Sequence, residues 1–75
     1  MADSIERKID FLRRYFEELQ KKVSEARKKG KDTFMADLRM MCIPEKIRYA
    51  EISGDKKDID RVKKMLVKLQ NEIPK

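Results

Sequence analysis

The sequence predicts an all-α protein: a small helical bundle of two long antiparallel helices, about 4–29 and 56–73, and two short helices, about 33–42 and 44–53. Three observations carry that expectation. Apolar residues recur at Ile5, Ile9, Leu12, Phe16, Leu19, Val23 and Ala26, in steps of 4, 3, 4, 3, 4, 3, and again at Ile59, Val62, Leu66, Leu69 and Ile73, in steps of 3, 4, 3, 4. Such heptad stripes belong to helices that lie along other helices. Gly30, Pro44, Gly54 and Pro74 punctuate the chain between periodic stretches. No stretch alternates convincingly between apolar and polar, as a half-buried strand does.

The first helix opens at "DSIE", where Asp3 or Ser4 can cap and Glu6 sits near the start, as in a capping box. It stops at Gly30, because glycine takes the left-handed conformation that ends helices. Asp32 or Thr33 caps a second helix that carries Phe34, Leu38 and Met41 on one face. Pro44 ends it, since the residue before proline avoids the helical region. Proline also suits the first turn of a helix, so "PEKIRYAEIS" becomes a third, with Ile43, Ile47 and Ala50 inward and Gly54 closing it. A strand is the rival reading of residues 46–53, because Ile, Tyr and Ile suit a pleated surface; it lacks a partner. The last helix is capped by Asp55 or Asp58 and ended by Pro74.

Seventy-five residues make a single domain, 1–75. A core this small supplies only about 3–5 kcal/mol without a staple. One cysteine, Cys42, forms no intrachain disulfide, and the absence of histidine removes the usual zinc sites. Oligomerisation or very regular helix packing remains. No apolar run approaches the roughly 20 residues of a membrane span, and "MADSIERK" lacks a signal peptide's hydrophobic segment. The expectation is a cytoplasmic protein that does not engage a membrane.

Heptad register says what the first stripe faces. A parallel copy would set Lys8 against Arg13 and Lys22 against Arg27, like charges that select against it. An antiparallel last helix matches Lys22 with Asp58, Tyr15 with Met65 and Lys8 with Glu72, although Arg13 then faces Lys63. The two short helices cover only half of that hairpin. Ile5, Ile9, Phe11, Leu12, Leu66, Leu69 and Ile73 are therefore expected to form an interface with a second copy, making a homodimer, or with an unidentified protein partner.

Chemistry is sparse. The usual base, histidine, is missing, and Cys42 beside Met40, Met41 and Ile43 reads as a buried small hydrophobe. The carboxylates have caps or helix pairs to make, such as Glu17–Lys21 and Asp60–Lys64. No catalytic, cofactor-binding or metal-binding residues are assigned, and no cofactor is implied. Met35, Met40, Met41 and Met65 serve as core filler or, alternatively, as an adaptable groove.

Net charge is +6, and six bases against one acid fall between Lys21 and Lys31. Lys21, Lys22, Arg27, Lys28, Lys29 and Lys31 thus form a candidate anion or nucleic-acid patch; the same cations also suit the C-terminal end of a helix. Arg61, Lys63, Lys64 and Lys68 make a second basic line. The helices flanking Pro44 loosely resemble a helix-turn-helix, but Glu45 and Glu51 would repel phosphate and the turn has no glycine. The expected function is a non-enzymatic interaction or scaffolding module that self-associates through its heptad helices; the alternative is a small basic nucleic-acid-binding protein.

Overall fold

In the computed structural model the backbone is described for residues 2–74 and the side chains for residues 5–74. The described chain is three α-helices, α1 (Ala2–Lys28), α2 (Phe34–Ser53) and α3 (Lys56–Glu72), in a rod 44 Å long and 16 Å across. The all-helical class expected from the sequence holds, and residues 46–53 are helix, not strand. The count does not hold: one continuous helix replaces the two short ones expected on either side of Pro44.

The reason lies in the inward face of α2. Ala36, Met40, Ile43, Ile47 and Ala50 follow one another in steps of 4, 3, 4, 3 straight through the proline. Ala36, Ile43, Ile47 and Ala50 are buried, and Met40 packs against the core. Pro44 removes the N–H that would bond the Met40 carbonyl, at a cost of about 3 kcal/mol. Burying an aliphatic side chain such as Ile43 or Ile47 returns about 1.5–3 kcal/mol each. A break at Pro44 would swing one half of that stripe away from α1 and α3. Pro44 itself is exposed on the α1 flank of the helix, where it lines a groove with Arg13, Phe16 and Ile47.

The face assigned to the second helix is likewise corrected. Phe34, Leu38 and Met41 are exposed, at 63%, 45% and 75%. Choosing the residues around Ala36 as the inner face instead aligns α2 with the stripes of both neighbours.

Helix ends follow the expected chemistry more closely. Gly30 has φ +80°, and the paired bonds Gly30 N–H to Arg27 O (3.0 Å) and Lys31 N–H to Ala26 O (3.1 Å) make a Schellman end. Gly54, φ +63°, closes α2 with a single bond from its N–H to Ala50 O (2.9 Å). Asp32 Oδ1 accepts from Phe34 N–H at 2.9 Å, and Asp55 Oδ1 accepts from Lys57 N–H at 2.9 Å. Asp3 and Ser4, expected to cap α1, lie outside the described side chains.

With three helices instead of four, α1 and α3 run parallel, not antiparallel. Lys8 and Phe11 lie beside Ile59, Asp60 and Lys63 at one pole, while Lys22 and Ala26 lie beside Gln70 and Ile73 at the other. The matches Lys22–Asp58 and Lys8–Glu72 therefore do not form. Arg13, mismatched in that scheme, instead reaches Glu51 of α2 at 2.8 Å, and Glu72 takes Arg39 as its partner.

Candidate interaction surface

All but one of the apolar residues expected to form an interface are buried or half-buried within the protein. Ile9, Leu12, Leu66 and Leu69 are no more than 2% exposed, and Ile5 and Ile73 are half-buried against the same core. Because α2 runs the full length of the bundle, its own chain covers the half that two short helices would have left bare. Of that set only Phe11, 54% exposed, remains on the surface, edge-on to Tyr15 with ring centroids 5.9 Å apart. The Tyr15 hydroxyl in turn donates to Gln70 of α3.

The apolar surface that is exposed sits elsewhere. Eight large hydrophobic residues are exposed among the described residues, and six belong to α2: Phe34, Met35, Leu38, Met41, Tyr49 and Ile52. At about 100° per residue most of them project directly away from Ala36, Ile43 and Ala50. Cys42, expected to be buried, lies exposed beside them. So α2 is apolar on two opposite faces, one against α1 and α3 and one towards solvent. The methionines divide the same way: Met40 and Met65 pack on the core, and Met35 and Met41 do not.

The flanks of α2 are held by charge. On the α1 side, Arg27 pairs with Asp37 and Arg13 with Glu51; Thr33, buried in the preceding turn, donates to Asp37 at 3.1 Å. On the α3 side, Arg39 grips Glu72 with two parallel bonds, Nε to Oε2 at 2.8 Å and Nη2 to Oε1 at 2.6 Å. That fork holds the Glu72 carboxyl below its ordinary pKa and the Arg39 guanidinium above its own; the mutual hydrogen bond outweighs desolvation in both. Ser53 Oγ donates to Asp58 at 2.8 Å across the second turn. These contacts fix the rotation of α2, and hence which side faces out.

The basic segment is only partly assembled. Lys22, Lys29 and Lys31 rim a shallow open depression with Gln70, Ile73 and Pro74, with Glu25 among them. Arg27 turns away to Asp37, Lys21 stands 3.8 Å from Glu18 in place of the expected Glu17, and Lys28 is exposed. The line on α3 is redrawn as well. Lys63 sits in the crease against α1, whereas Lys57, Arg61, Lys64 and Lys68 share one exposed face in steps of 4, 3, 4. Lys57 was legible as part of that line from its spacing.

Among the described residues no three His, Cys, Asp or Glu side chains stand close enough to hold a metal ion, and no helix is long and apolar enough to cross a membrane. No protein-family model, curated protein or solved structure matches the chain.

Proposed function

We propose that this chain is a non-enzymatic protein-interaction module that presents the outer face of α2 to another helical polypeptide. The observation that carries the reading is the concentration of exposed apolar side chains on one side of one helix. Contiguous apolar surface costs roughly 25 cal/mol per Å² in water, and monomeric proteins usually expose large patches only where something binds. The spacing of Phe34, Leu38, Met41 and Ile52 suits a helix lying alongside, and Met35 and Met41 adapt to irregular surfaces. The non-enzymatic part of the reading rests on the composition: histidine is absent, and Asp37, Glu51 and Glu72 are engaged in ion pairs.

A photo-crosslinking amino acid at Tyr49, in cells expressing the protein, tests this. It should give a discrete higher-mass adduct that the same group at Glu18, on the opposite side of the bundle, does not. Equal yields from both positions would overturn the reading.

A second reading, nucleic-acid binding, is favoured by the α3 stripe Lys57, Arg61, Lys64 and Lys68. Phosphate binding by these bases predicts affinity that falls steeply with salt, with each Lys→Gln change lowering the slope of log K against log salt by about 1. Binding that ignores salt would remove it.

A further inference from the structure

The outer stripe of α2 carries two charges in its middle. In steps of 4, 3, 4, 3, 4 it reads Phe34, Leu38, Met41, Glu45, Arg48, Ile52. Glu45 and Arg48 are exposed, and neither makes an ion pair among the described residues. Asp37, Arg39 and Glu51 are by contrast paired with α1 or α3, whereas Glu45 and Arg48 border the groove beside Arg13 of α1 without an ion pair across it. Any helix laid along the stripe must meet both an acid and a base, one turn apart, with apolar side chains above and below them.

We propose that the occupant is a second copy of this chain, its α2 laid antiparallel across a two-fold axis so that Glu45 of each copy meets Arg48 of the other. The proposal rests on the reading of outer α2 as the association surface and names its partner. An axis between residues 46 and 47 brings Glu45 opposite the partner subunit's Arg48, and the reverse, in a single register. The same register sets Met41 against the partner subunit's Ile52, again twice. The contact is isologous, as a two-fold dimer requires. Leu38 reaches the partner subunit's turn at Gly54 and Asp55, and Phe34 falls outside the contact.

Other arrangements fail on charge. A parallel copy in register stacks Glu45 on Glu45 and Arg48 on Arg48. An antiparallel copy centred on residue 43 gains Phe34 against Ile52 but buries Arg48 against Leu38 and Glu45 against Met41, leaving charges desolvated and unpaired. A nucleic acid gains nothing here, since α2 carries three acids, Asp37, Glu45 and Glu51, against three bases, Arg39, Lys46 and Arg48. An anionic membrane surface is no better served, because it wants bases flanking the apolar face, and α2 offers only Lys46 and Arg48 free of ion pairs among the described residues, with Glu45 beside them. A single helix pair is a small interface, below about 1,200 Å² in total, so the dimer should dissociate in the micromolar range.

Sedimentation equilibrium from micromolar to millimolar concentration, under reductant so that the exposed Cys42 makes no disulfide, tests the proposal. The unmodified chain should dimerise. Glu45→Arg and Arg48→Glu should each weaken the dimer by about tenfold or more, because each opposes like charges across the axis. Both sites are exposed, so circular dichroism should show unchanged helix. An equimolar mixture of the two variants should recover the dimer, since every cross-axis pair is then of opposite sign. A dimer dispersed by Ile52→Asp but unmoved by either charge reversal would overturn the register and leave the interaction face standing. A chain that stays monomeric at millimolar concentration would overturn self-association, while a Tyr49 crosslink to a different protein would still uphold the module reading.

Discussion

The Arg39–Glu72 fork joins the first turns of α2 to the last turn of α3. Glu72 has its pKa depressed in the folded state from an ordinary 4.5. Its contribution to stability is therefore present at neutral pH and lost as pH falls from the ordinary carboxyl value through the depressed one. Glu72→Gln should be less stable than the parent at pH 7, and urea midpoints of the two should converge below the depressed value. Gly54, at φ +63°, is another residue whose identity the fold requires. A Cβ there would meet Ile5 Cδ1 at an unremarkable 3.7 Å, so the strain of Gly54→Ala lies in the backbone; a loss of about 1 kcal/mol is expected, read as a lowered thermal midpoint. At this scale much was legible: Gly30, Gly54, Asp32 and Asp55 all end or start helices, because capping is local chemistry. The partners of Arg13, Arg39 and Glu72 were not legible, because ion pairs between helices depend on topology that spacing alone leaves open.

At the scale of the element, the two heptad stripes identified α1 and α3 and their buried faces down to Leu12, Leu19, Leu66 and Leu69. The middle helix was misread for a physical reason. Its apolar residues lie on opposite sides, so no single stripe stands out, and Phe34, Leu38 and Met41 look as core-like as Ala36, Ile43 and Ile47. Local preference placed a break at Pro44, and burial on both sides of it overrode that preference. The exposed apolar face is hidden in the same ambiguity: the sequence reading groups Phe34, Leu38 and Met41 as one face and Met35 and Met41 as core filler, and gives Tyr49 and Ile52 no face, although it places Ile43, Ile47 and Ala50 inward, where they lie. Pro44→Ala should then stabilise the protein by about 1–3 kcal/mol, the helix-interior cost of proline less what its stiffness withholds from the unfolded chain. A higher denaturant midpoint, with a slowly exchanging amide at residue 44, is the expected result; no gain would contradict a helix continuous through that position.

At the scale of the whole molecule, the number of helices decides polarity. Three helices joined by short turns make α1 and α3 parallel, which the ion-pair register for a hairpin did not anticipate. Spin labels at Lys8→Cys and Asn71→Cys, in a Cys42→Ser background, should sit roughly 20 Å apart along the rod, by the 1.5 Å rise per residue; the antiparallel arrangement would have put them side by side. An odd number of passes also means that the polypeptide enters the rod at one pole, near Ile5 and Gly54, and leaves at the other, near Ala26 and Pro74. Anything fused at residue 2 and anything fused at residue 74 would thus be held apart and aimed in opposite directions, with the bundle between them as a stiff strut rather than a hinge.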